Sequence, residues 1–74
     1  MNITELKPGE RGLVENVTCK EALKERLRSL HIRTGGYVRL LKVSFFKKTY
    51  LVQAGGSRVA LRKDVAACVE IKKA

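Results

Sequence analysis

Five apolar runs of strand length and a single helical stretch restrict this chain more than any other feature. The runs are Gly12 to Val17, Tyr37 to Val43, Thr49 to Ala54, Ser57 to Arg62 and Cys68 to Ile71. Each is too short for a helix of ordinary length, and turn residues separate most of them. Five such strands cannot form an open sheet of any size without exposing unpaired edges, so a small closed or nearly closed barrel is the economical arrangement. Gly35-Gly36 and Gly55-Gly56 supply positive φ without steric cost, and the second pair stands where a hairpin turn should join two strands. In the run from Ser57, Val59 and Leu61 point inward while Arg58, Ala60 and Arg62 point out.

The helical stretch lies between the first two runs. Leu23, Leu27 and Leu30 recur at spacings of four and three, which places them on one face that must be buried. Thr18 stands three residues before Glu21, the spacing of a capping box, so the helix is expected to begin there. Lys20, Lys24 and Arg28 form a solvent-facing row, and Glu21 stands four residues before Glu25, so packing holds this helix more than ion pairs do. "KDVAA", from Lys63, reads as one helical turn between the last two strands.

A chain of 74 residues supports one domain, spanning 1–74, and leaves no room for a linker. Sixteen Lys and Arg against seven Asp and Glu leave a net charge of +9, which favours an anionic partner or surface. The excess belongs to residues 33–74, where ten basic residues face only Asp64 and Glu70. Two cysteines, Cys19 and Cys68, are too few for a disulfide framework, and no run approaches the roughly 20 apolar residues of a membrane span. The expectation is a reduced, soluble, cytosolic protein. Cys19 falls in the first turn of the expected helix, where the backbone's partial positive charge lowers a thiol pKa, and Cys68 reads as a small core residue.

The string "ERLRSLHIRTGGYVRLLK", followed by "VALRKDVAACVEI", resembles the FeoA family of small accessory proteins in bacterial ferrous-iron uptake. The resemblance runs from Leu6 to Ile71. Its marks are Gly9 and Gly12, Arg26-Leu27 and Leu30, Gly35, and the "VALRKDVA" run, all packing or turn residues in a matching order. It implies an SH3-like barrel, mainly β, with about five strands and one helix inserted after the first. It also implies a supporting role for the FeoB-type transporter, whose cytosolic end carries a GTPase domain, and through that process a link to a transition-metal ion. The chain departs from the family at Leu30-His31-Ile32, where members commonly carry glycine in the middle, and in "SFFKKT", which lacks their Pro and Gly.

His31 is readable as a tolerated residue in the left-handed conformation that ends a helix, with its imidazolium favourable at the negative end. The competing reading is a metal ligand or pH switch, which needs three or four ligands and has only Cys19 and Cys68 to recruit. One histidine and one aspartate, neither in a catalytic motif, supply no activated nucleophile, so the chain reads as non-enzymatic and without a cofactor. Neither glycine pair has the spacing of a nucleotide loop.

"SFFKKT" is the stretch with most to say about partners. The region is strand-like, so the adjacent Phe45 and Phe46 point to opposite faces, at most one can enter the core or pack under the hairpin, and the other is exposed. An exposed aromatic beside Lys47 and Lys48 suits an interface anchor or an anionic membrane surface. Phe45, Phe46, Lys47 and Lys48 are therefore the first candidate partner site, and Arg58, Arg62 and Lys63 the second. Docking on the transporter's cytosolic GTPase domain, by a monomer or weak homo-oligomer, is the expectation. The alternative is a basic SH3-like nucleic-acid-binding module, which would need Tyr37, Phe45, Phe46 and Tyr50 to build a stacking platform.

Overall fold

The computed structural model describes all residues 1–74. Its elements are a 3-10 turn at Ile3–Glu5, then β1 (Arg11–Val17), α1 (Glu21–Ser29), β2 (Tyr37–Val43), β3 (Thr49–Ala54), β4 (Ser57–Arg62), α2 (Lys63–Ala67) and β5 (Val69–Lys73). The strands form one antiparallel sheet in the order β4-β3-β2-β1-β5. β4 and β5 do not pair, so the barrel stops just short of closure. α2 links the two edges, with Ala66 buried and Val65 packed against the core.

Strand pleating decides which side chains fill the interior. β3 buries Tyr50, Val52 and Ala54 at every second position, and β4 buries Leu61 with Val59 half-buried beside it. β1 breaks the alternation, since Val14 and Val17 are both buried although three residues apart. A register shift between Val14 and Asn16 explains this: one extra residue in β1 against β5 returns Val17 to the inner face. Gly12 passes so close to β5 that a Cβ there would stand 2.7 Å from Ile71 Cδ1. Ile3 and Leu6, from the N-terminal turn, are buried in the same core.

Helix α1 begins later than its capping box suggests. Its N-cap is Lys20, with no side-chain cap. The Thr18 backbone N–H and hydroxyl both donate to the Cys68 carbonyl, at 2.8 and 3.0 Å, which ties the end of β1 to the start of β5, and the hydroxyl accepts no bond from the helix. The capping box that forms is at the N-terminus, where the Asn2 side chain accepts from Thr4 N and Glu5 Oε2 accepts from Asn2 N. On α1 Leu27 is buried and Leu23 half-buried, and the C-cap Leu30 is half-buried too, so this helix lies along the barrel rather than inside it.

The expectation of reduced cysteines is overturned. Cys19 and Cys68 form a disulfide with their Cα atoms 5.4 Å apart, well inside the span a disulfide can bridge. The Thr18–Cys68 hydrogen bonds bring the two residues together. Neither is a free thiol, and Cys68 is half-buried rather than a core residue.

Candidate functional site

The loop Ser44 to Lys48 is a turn and not an extension of β2. Lys47 N donates to Ser44 O at 2.9 Å, Lys47 adopts a left-handed φ of 56°, and Ser44 Oγ accepts from the N–H groups of Lys48 and Thr49. Strand alternation therefore lapses within it, and both phenylalanines stand outside: Phe45 is 91% exposed and Phe46 74%. The rings meet edge to face with centroids 4.9 Å apart, an arrangement favoured by the aromatic quadrupole. Two exposed phenylalanines in contact at a hairpin tip leave apolar surface that solvent alone would not favour.

The second candidate patch divides. Thr49 pairs with Arg62, and Lys63 N donates to Lys48 O at 2.9 Å, so Lys48, Arg62 and Lys63 meet around an open hollow that also holds Thr49 and Asp64. Lys48 thus joins the phenylalanine loop to the exit of β4. Arg58 lies at the other end of β4, opposite Gln53, away from the tip. Asp64 and Thr49 were missed by the sequence reading, because their place beside Lys48 depends on strand register rather than on any local spacing.

His31 takes φ 68° one residue beyond the C-cap Leu30. His31 N donates to Arg28 O at 3.0 Å and Ile32 N to Leu27 O at 2.9 Å, the two bonds of a Schellman motif, with Leu27 and Ile32 both buried beneath. The imidazole covers Gly55 in the β3–β4 turn, where an added Cβ would stand 2.6 Å from His31 Cγ. The two cysteines that could have joined it are joined to each other, and no three His, Cys, Asp or Glu side chains converge anywhere in the molecule.

The four aromatics do not make a platform. Tyr50 is in the core, whereas Tyr37 is exposed at the opposite end of β2 from the phenylalanines, under the Arg11 guanidinium at 5.1 Å from its ring centre. Near the start of β1, Glu10 accepts from Lys7 N at 2.7 Å and pairs with the Lys73 ammonium. The hydrogen bond from Lys73 chiefly, then that from Lys7 N–H, holds its carboxyl below the usual carboxylate range.

Residues 1–73 match the family model described as "FeoA domain". A curated Campylobacter jejuni protein, "Putative Fe(2+) transport protein A", is 30% identical over 71 residues, 96% of each chain. Among solved structures, the solution structure of Chlorobium tepidum FeoA is similar with a TM-score of 0.93 at 25% identity, over 99% of this chain and 70% of that one. The crystal structure of Stenotrophomonas maltophilia FeoA complexed with zinc, described as a procaryotic SH3 domain protein, is similar with a TM-score of 0.84 at 32% identity, over 97% and 89%.

Proposed function

Because the chain belongs to the FeoA family, we propose that it is a non-enzymatic accessory protein of ferrous-iron uptake that docks on the cytosolic GTPase domain of a FeoB-type transporter. The observation that carries the docking reading is the pair of exposed, edge-to-face phenylalanines at the β2–β3 tip, continuous through Lys48 with the basic hollow of Arg62 and Lys63. Aromatic anchors beside cations suit an interface: the rings supply buried area, and the charges steer an acidic partner and fix its orientation. Arg58, remote from the tip, serves as an outlying contact.

On this reading the protein works in the cytoplasm, whose reductants act on the Cys19–Cys68 bond, and reaches the inner membrane through the transporter. No helix is long and apolar enough to cross a membrane. Its link to a transition-metal ion runs through the transporter's cargo. Zinc is bound by a relative, but here the histidine packs on Gly55 and no three His, Cys, Asp or Glu side chains converge, so the docking reading routes no metal through this chain.

The test is Phe46→Ser combined with Lys47→Glu. Both residues are exposed, so the barrel stays folded. If Phe46 is an anchor worth about 2 kcal/mol, affinity for the transporter's cytosolic domain falls about 30-fold. Unchanged affinity in the folded variant removes this surface from the account.

A further inference from the structure

A second cleft, of about 250 Å³, lies between α1 and the turn that follows it, lined by Val17, Lys24, Arg28, Ile32, Arg33 and Thr34. Lys24 and Arg28 lie one turn apart on α1, and the Schellman motif swings the chain back so that Arg33 and Thr34 face them. Val17 and Ile32, both buried, form the floor. No carboxylate lines the cleft, whereas the hollow beside Lys48 carries Asp64.

Its donors are unspent. Lys24, although half-buried, has no ion pair or side-chain hydrogen bond, and the same is true of the Arg33 guanidinium and the Thr34 hydroxyl. The backbone N–H groups of Arg33 and Thr34 also have no acceptor within the protein. Arg28 gives Nη1 to Glu25 at 3.0 Å, and its remaining N–H groups stay available. The negative end of α1 opposes an anion here by about half an elementary charge, against three positive side chains. The Lys24 stem packs along the helix while its ammonium reaches the cleft without a protein partner, and a bound anion would supply one through charge-assisted hydrogen bonds.

We propose that this cleft binds a phosphate group, either inorganic phosphate or the phosphate of a small soluble monoester. Lys24 on the helix and Arg33 on the turn grip it from two sides, and Thr34 donates a hydroxyl. This site is separate from the phenylalanine tip and stands or falls independently of docking.

The test is a titration of isotope-labelled protein with inorganic phosphate and then glycerol 3-phosphate, followed by NMR at an ionic strength held constant with sodium chloride. Saturable shifts at the amides of Lys24, Arg33, Thr34 and Gly35 are expected. Lys24→Gln with Arg33→Gln should weaken binding at least tenfold, while Lys47→Gln with Lys48→Gln leaves it within twofold. Tighter binding of glycerol 3-phosphate assigns the site to a monoester, and the reverse order assigns it to inorganic phosphate. Unsaturating shifts spread over every basic face overturn the proposal, as does undiminished binding by the Lys24/Arg33 variant.

Discussion

Gly55→Ala tests whether His31 is a structural residue seated on the hairpin. Two costs arise at this position. Gly55 has φ 56°, where an alanine costs about 1–2 kcal/mol relative to glycine. Its Cβ would also stand 2.6 Å from His31 Cγ and 2.7 Å from His31 Cβ. Rotation about χ1 moves the ring but leaves His31 Cβ in place, so the backbone of one turn must shift, an overpacking cost of about 1–3 kcal/mol. The substitution should therefore destabilise by about 2–5 kcal/mol in all, lowering Tm by roughly 4–8 °C for each kcal/mol. In a His31→Gly background the clash disappears and about 1–2 kcal/mol remains. His31→Gly alone relieves left-handed strain but loses the ring's contact with the hairpin, for a net gain under about 1 kcal/mol with transporter binding intact. Urea unfolding followed by far-UV circular dichroism suits a chain without tryptophan. The double-mutant cycle should give a coupling of about 1–3 kcal/mol, and additivity within about 0.5 kcal/mol would refute the contact. Loss of transporter binding by a stable His31→Gly variant would refute the structural role itself.

Reducing the Cys19–Cys68 bond, or replacing Cys19 by Ser, frees a loop closed across a sequence separation of 49. Chain entropy puts that at about 4 kcal/mol, so the urea midpoint should fall sharply in reductant; an unchanged midpoint would mean the bond contributes no stability. Glu10, with its pKa lowered in the folded state, contributes stability that is present above its unfolded value of 4.5 and is lost as pH falls through the lower folded value. Glu10→Gln should remove that part of the acid sensitivity, and an acid unfolding curve of unchanged shape would show the Lys73 pair to be inert.

Much of this fold was legible because its signals are local. β2, β3, β4 and α2 begin and end where apolar runs and glycine pairs place them, and the helix end at His31 follows from the short reach of a Schellman motif. The misreadings share a different cause. Thr18 carries a capping spacing, but its hydroxyl donates to a carbonyl 50 residues away and caps nothing. The disulfide depends on that same long-range approach, which a count of cysteines and an assumed compartment do not report. The loop at Phe45 was read with strand alternation although Ser44 and Lys47 close a turn there. The candidate site was half legible: residue types marked Phe45 to Lys48, while only β3–β4 register joins Lys48 to Arg62 and Lys63 and sends Arg58 to the far end. Lys24 and Arg28 were read as a solvated row because nothing in sequence spacing brings Arg33 back towards them.

The most direct measurement of the central claim is an NMR titration of the labelled protein with the transporter's cytosolic domain at physiological salt, with an unrelated DNA duplex as control. The account predicts salt-resistant shifts centred on Phe45 to Lys48 and extending to Arg62 and Lys63, with DNA giving none that survive added salt. Shifts with DNA alone, fading steeply as salt rises, would contradict docking and leave the +9 charge as the better guide to the partner.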